Sequence, residues 1–250
     1  MNKFLAVLFF TAALLRAQDA RRIMQEVQDR ARAASQRYEG TLKVIDSRNK
    51  ISEKRWTYDR IGSAGSSKVV IRFSAPAEVK GVALLVVNHP ERSSDQWMWT
   101  PALQRDRRIA FQDRSTRFFG TDFSFEDLEE RDSNQYDYTI LGEETVNGAP
   151  CWKLESRPKK SKSSQYTHAH IWVDKARYVF EKIESFHGGK LIRRLIYGDY
   201  RRIQNIWTPL TMEIEEVGRK SKTILHTEKL QYNVPMKEEQ FTLQALRRES

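Results

Sequence analysis

The sequence predicts a mainly β, α+β fold: one long antiparallel sheet, strongly curved, with an N-terminal helix and one or two short helices covering its concave face. Three observations lead there. Apolar residues recur at alternate positions over most of the chain, from Tyr38 to Tyr232. One segment near the N-terminus has a helical period instead. No linker-like gap and no internal repeat interrupts the run, so about eleven strands fall to a single domain, residues 18–250. A sheet that long curls rather than staying flat, and an apolar concave face has to be covered.

Residues 1–17 have the pattern of a cleavable secretory signal. Lys3 supplies the positive start, Phe4 to Leu15 a short apolar core, and Ala17 the small residue at the cleavage point. That core is much shorter than the ~20 apolar residues a spanning helix needs. Leu15 and Arg16 are imperfect neighbours for cleavage, which leaves a retained anchor as the other outcome. The address expected is the periplasm. The formal charge is +10, and a basic exported protein meets anionic lipid or envelope polymers rather than nucleic acid. Cys151 is the single cysteine, which excludes an intramolecular disulfide. Beside Trp152 in a strand-like run, it is expected to be a small buried residue and no nucleophile.

Along the chain, Asp19 to Gln36 is the expected helix, with Ala20, Ile23, Met24, Val27, Ala31 and Ala34 on one face and Asp19 as N-cap. Strands follow at Tyr38 to Val44, Ile51 to Arg60 and Val69 to Phe73, each with one apolar face. Ser74 to Gly81 breaks the pattern. Val82 to Val87 is apolar throughout, which suits a strand covered on both faces. Further strands are expected at Tyr136 to Leu141, Cys151 to Ser156, Tyr166 to Val173, Arg177 to Phe186, Lys190 to Tyr200, Trp207 to Val217 and Lys222 to Tyr232. Asn147-Gly148 and Gly188-Gly189 are hairpin turns. Pro158 to Ser164, rich in Lys and Ser, has the composition of an exposed hairpin tip. Gln240 to Leu246 is expected to pack as a last short segment, and Ala75 to Lys80 and Asp122 to Glu130 are the places for an additional short helix.

The stretch Asp95 to Leu128 concentrates aromatic rings and arginines. Gln96 to Thr100 is a strand with Trp97 and Trp99 on one face and Met98 on the other, Pro101-Ala102 turns the chain, and Leu103 to Phe111 returns beside it. Trp97, Trp99, Phe111, Phe118, Phe119, Phe123 and Phe125 are the candidates to line or gate an apolar hollow. Arg105, Arg107 and Arg108 are the candidates to hold an anionic head group or a partner. Ordinary core packing and a charged, solvated edge strand are the competing roles.

Little in the chain suggests catalysis. It contains no GxSxG elbow, no HExxH and no phosphate-cradling glycine loop. Asp122, Glu126 and Asp127 have the setting of a capping turn rather than of an acid–base pair. His168 and His170 share a strand face, and His187 or His226 are conceivable third ligands, but no acidic or cysteine spacing supports a metal. No cofactor and no metal are expected, and the protein is read as no enzyme.

Four segments, in order, resemble the LolA-like outer-membrane lipoprotein-sorting proteins: FSAPAEVKGVALLV (Phe73 to Val86), DQWMWTPALQRDRRI (Asp95 to Ile109), RFFGTDFSFEDL (Arg117 to Leu128) and IWTPLTMEI (Ile206 to Ile214). Asp106 departs from the pattern, standing where an apolar residue is expected; a bridge to Arg107 or Arg108, or exposure to water, would accommodate it. The resemblance implies a half-open barrel whose hollow is lidded by helices. It also implies a monomeric periplasmic carrier of lipid or lipoprotein acyl chains toward the outer membrane, with an RND- or MMPL-type inner-membrane transporter and an outer-membrane acceptor as partners. The alternative function is an envelope sensor or adaptor that uses the same fold to bind such a transporter.

Overall fold

The computed structural model describes residues 19–248, so the expected signal segment lies outside the described residues. Helix α1, residues 19–30, is followed by thirteen strands in one antiparallel sheet. They are β1 (Ser35–Ile45), β2 (Ile51–Ser63), β3 (Ser66–Ala75), β4 (Ala83–Val87), β5 (Asp95–Thr100), β6 (Arg105–Arg108) and β7 (Tyr136–Val146). Then come β8 (Ala149–Pro158), β9 (His168–Asp174), β10 (Phe180–His187), β11 (Lys190–Ile203), β12 (Ile206–Glu216) and β13 (Ser221–Tyr232), and a short helix α2 (Leu243–Leu246). The spatial order is β6-β5-β4-β3-β2-β1-β13-β12-β11-β10-β9-β8-β7, a curved sheet left open between β6 and β7. Among the described residues, no helix is long and apolar enough to cross a membrane.

That order dictates what covers the hollow. β6 and β7 are consecutive in sequence but lie at opposite edges of the sheet. Residues 109–135 must therefore cross the concave face, and they carry Ile109, Phe118, Phe123 and Phe125 into its core. These rings pack on Leu42, Trp56, Ile71, Phe73 and Leu84. At the other end of the same face, Ala20, Ile23, Met24 and Val27 of α1 pack on Tyr138, Leu154, Ile171 and Val173. The outer face is covered over β3–β5, where Phe241 and Leu246 pack on Ala83, Leu85, Trp97 and Trp99. β4 is thus buried on both faces, as its unbroken apolar run predicted.

Several boundaries differ from expectation for local reasons. α1 ends at residue 30 rather than at Gln36 because the next backbone groups are taken by the sheet. Ala34 N donates to Asn233 Oδ1 and Asn233 N to Ser35 O, both at 2.9 Å. The return strand expected over Leu103 to Phe111 is only β6, since Pro101–Leu103 is a 3-10 turn joining β5 to β6 and Phe111–Ser115 is a 3-10 turn at the start of the crossing. Asp122 to Glu130 forms a 3-10 turn at Glu126–Leu128, and Ala75 to Lys80 a hydrogen-bonded turn, so neither is an α-helix. The cover of the concave face is α1 plus a loop, and the second helix lies on the outer face. Gly40 is required by close approach: a Cβ there would lie 2.3 Å from Trp56 Nε1 and 2.8 Å from Leu225 Cδ1. The Trp56 indole lies over that gap and stays against the concave face.

Candidate functional site

The concave face encloses three adjoining cavities of about 440, 380 and 260 Å³. Tyr197 lines all three, Leu195 joins the smaller two, and Trp207 and Pro209 join the larger two. Each is near or within the size range of a small-molecule pocket. The walls of the larger two are mostly rings and aliphatic chains: Tyr38, Trp56, Tyr58, Phe123, Met212 and Leu225 in the middle cavity, Tyr178, Phe180 and Tyr200 in the largest. Burial pushes the hydroxyls of Tyr197 and Tyr200 well above the usual phenol range, and that of Tyr58 to about 12. These rings are neutral apolar walls at any ordinary pH.

Charge enters the hollow at several places, and the 260 Å³ cavity is lined by Glu126, Asp127, Glu129, Glu130, Lys162 and Arg193 besides Arg131. Beside the largest cavity Trp207 is 39 % exposed. The Arg177 guanidinium lies 4.9 Å from the Tyr200 ring and 5.7 Å from the Trp207 ring, and Arg30 lies 4.2 Å from the Tyr178 ring. Deeper, Arg131 lines the 260 Å³ cavity with its guanidinium 4.0 Å from the Tyr136 ring. Its Nη2 donates to Ser156 Oγ, while its Nε is buried without a hydrogen-bond partner, and among the described residues it makes no ion pair. Burial works against its charge, but the Tyr136, Tyr138 and Tyr197 oxygens hold its pKa above the usual guanidinium value.

The aromatic residues singled out in the sequence take other places. Trp97 and Trp99 face outward under Phe241 and Leu246, on the side of the sheet opposite Met98 and the hollow. Phe111 is 45 % exposed, with the Arg114 guanidinium 4.3 Å from its ring. Phe118 is fully buried, stacked on Phe73 at 5.2 Å and edge-on to Phe119 and Phe125. Only Phe123, 6.2 Å from Trp56, lines a cavity of the hollow. The loop that leaves at Phe118-Phe119-Gly120 is therefore a plug built into the core. Arg117 folds it by donating to the Gly120 and Thr121 carbonyls, each at 2.8 Å, and Phe119 and Gly120 turn through positive φ. Asp122, fully buried, fastens it to β13 through Ser221 and Thr223.

Arg105, Arg107 and Arg108 are exposed on edge strand β6. Arg107 pairs with Asp113 at 3.0 Å and Arg108 with Asp95 at 2.5 Å, while Asp106 pairs with Arg247 rather than with either neighbour. Asp95 also accepts from Arg92 and His89. Burial pulls its pKa upward, but the hydrogen bonds from Arg92, Arg108 and His89 outweigh it, and the carboxyl lies well below the usual range. A depressed folded pKa contributes stability above the unfolded value of about 3.9, and that contribution disappears as pH falls through the folded value. In urea titrations from pH 7 to pH 2, Asp95→Asn is expected to flatten the acid limb by on the order of 2 kcal/mol. Parallel wild-type and variant curves would refute the linkage.

The residues sequence reading missed are instructive. Tyr38, Trp56 and Tyr58 lie on alternating strands and read as core. Pro158 to Ser164, expected as an exposed tip, folds back over the hollow: Lys162 is buried and reaches Glu129, while Ser164 and Gln165 bind Glu126. Cys151 is fully buried, and burial pushes its thiol up to about 11.

No curated protein matches the chain. A family model described as uncharacterized protein matches residues 65–248. A solved domain from Vibrio parahaemolyticus, assigned to outer membrane lipoprotein sorting, is 27 % identical with a TM-score of 0.87, over 93 % of this chain and 100 % of its own. The chain belongs to the family of that model, and its fold is LolA-like. A DUF1329 family protein from Desulfovibrio piger is similar at 26 % identity and TM-score 0.88, over 92 % of this chain and 99 % of that one. A LolA superfamily protein from Nitrosomonas europaea, 16 % identical, shares the fold at TM-score 0.70 over 88 % and 98 % of the two chains. The motifs that carry the LolA-like resemblance now have structural roles. RFFGTDFSFEDL is the plug, and IWTPLTMEI is β12, which brings Trp207, Pro209 and Met212 to the wall of the LolA-like hollow.

Proposed function

We propose that the protein is a periplasmic carrier or chaperone that holds acyl chains of lipids or lipoproteins in this hollow and shuttles them toward the outer membrane. The observation that carries the reading is the pair of larger adjoining cavities, which share Tyr197, Trp207 and Pro209 and are walled mostly by neutral rings and aliphatic chains. Hydrocarbon carried through water costs about 0.8 kcal/mol per exposed CH₂, and such a wall removes that exposure. Arg131, without an ion pair among the described residues, suits a phosphate or carboxylate head, because a guanidinium binds either bidentately. The similarity to the lipoprotein-sorting domain of Vibrio parahaemolyticus supports the same assignment.

The associated expectations belong to this proposal: export through a cleavable signal in residues 1–17, a monomer, and an RND- or MMPL-type inner-membrane transporter and an outer-membrane acceptor as partners. Catalysis, a cofactor and nucleic acid have no part in it. Native mass spectrometry of protein purified from cells without detergent tests it. Discrete mass additions that fragment to acyl species are the expected result. Protein that carries no lipid and takes up none from anionic vesicles would overturn the proposal.

A further inference from the structure

The outer face of β8–β10 carries a side-chain cluster of which only His168 also borders a cavity of the hollow. Ala169, Ile171 and Val173 of β9 point into the concave core, so the alternate residues His168, His170 and Trp172 stand on the outer face. The antiparallel register puts Glu155 of β8 opposite His170, and Phe186 of β10 opposite His168. One ligand atom from each of Glu155, His168 and His170 lies within 4.8 Å of the other two. Sequence spacing put His168 and His170 on one strand face but offered no acidic ligand, because the carboxylate comes from the neighbouring strand β8.

The surroundings prepare these groups for a cation. The Phe186 ring is parallel to the His168 ring at 4.7 Å and lies 4.9 Å from the His170 ring, which restrains both imidazoles. Thr167 Oγ1 is 3.2 Å from the Phe186 carbonyl oxygen and 3.1 Å from His168 Nδ1. The carbonyl can only accept, so the hydroxyl proton goes to it, and His168 Nδ1–H donates to the hydroxyl. His168 Nε2 then keeps its lone pair, the arrangement a metal ligand needs. Both Glu155 oxygens accept from Arg157, at 2.7 and 3.0 Å, an outer contact of the kind that orients a ligating carboxylate. The nearby ammonium groups of Lys153 and Lys182 lie over the Trp172 ring, at 5.0 and 3.7 Å.

We propose that Glu155, His168 and His170 form a binding site for a divalent transition-metal cation of the Zn²⁺ class, with three protein ligands and a coordination position left to solvent. Two imidazoles and one carboxylate favour Zn²⁺, Cu²⁺ or Ni²⁺ over Ca²⁺ or Mg²⁺, which take oxygen ligands. Bonds of about 2.0–2.1 Å to a tetrahedral ion place ligand atoms roughly 3.4 Å apart, so the half-buried side chains close by about an ångström on binding. The occupied site clips β8 to β9 on the face of the sheet opposite the core.

The test is titration of tag-free, chelator-treated full-length protein with ZnCl₂ by calorimetry, followed by Co²⁺ loading read by visible absorption. One equivalent of Zn²⁺ and the absorption bands of an N/O-coordinated Co²⁺ are expected. His168→Ala and His170→Ala should each weaken binding at least tenfold, and Glu155→Gln should weaken it too. His226→Ala, at an exposed position on β13, should leave it unchanged. Circular dichroism of the variants separates lost ligands from lost folding. Absence of binding, or binding that survives both histidine substitutions in folded protein, would overturn the proposal.

Discussion

Replacing Glu129 by Ala is expected to destabilise the protein by about 3–5 kcal/mol, the range for breaking a buried ion pair from one side. Glu129 Oε1 accepts from Arg114 Nη1 at 2.9 Å and from Gln96 Nε2 at 3.0 Å, and Oε2 accepts from Lys162 at 2.5 Å. The side chains of Arg114, Glu129 and Lys162 are 8, 4 and 3 % exposed, so water cannot replace the lost carboxylate. Two cations would then share a buried site without an anion. The three residues come from the crossing loop and from the segment after β8, so the same loss frees the plug from the lid folded over it. For a chain of this size the expected fall in Tm is roughly 6–20 °C. Lys162→Met is milder, because Glu129 keeps Arg114. Adding Arg114→Met and Lys162→Met to Glu129→Ala should restore much of the loss, since apolar replacement of a buried ionic group is often neutral. Guanidinium unfolding of the four proteins checks this, and a loss below 1 kcal/mol for Glu129→Ala would contradict it.

That triad also marks where sequence reading stopped. Periodicity located the strands because side-chain direction in a strand is a local property: Tyr38, Gly40, Leu42 and Val44 are all buried, as their alternation required. The unbroken apolar run before Val87 correctly predicted cover on both faces. The faces themselves were not legible. Trp97 and Trp99 alternate with Met98 as read, yet alternation cannot say which side is concave. That is decided by the strand order, which places Phe241 and Leu246 over the tryptophans. Lys162 sits in a run of Lys and Ser that reads as solvent-exposed. Its burial depends on Glu129, 33 residues away, and composition carries no trace of a partner that distant.

The crossing loop follows the same logic. Two β-strands adjacent in sequence usually pair, and β6 and β7 do not, because each is an edge of the sheet. Once they lie at opposite edges, the rings between them have to fill the concavity. Part of the apolar face is thereby occupied by the chain's own Phe118 and Phe125, and the space left for a ligand lies toward β10–β12. The family motif containing Trp207 was visible in the sequence, but as a mark of kinship rather than as a wall of the site.

This division of the rings yields the sharpest functional prediction. Met212 lines the 380 Å³ cavity and is only partly buried, a flexible thioether at the edge of unfilled space. Met212→Trp places an indole there, taking roughly the room of two or three methylenes. At about 0.8 kcal/mol per methylene, the affinity for a long-chain fluorescent acid such as cis-parinaric acid should fall by about 2 kcal/mol, near thirtyfold. Trp97→Ala removes a ring of the outer face, where the indole packs under the C-terminal segment with Arg108 5.9 Å away. It should cost about 1–3 kcal/mol of stability and leave the same affinity within twofold. The two variants thus separate a wall of the hollow from a prop of the sheet. Fluorescence titration of each, alongside its denaturation midpoint, makes the comparison. If Trp97→Ala weakens binding as much as Met212→Trp while remaining folded, the ligand lies on the outer face and the hollow has another use.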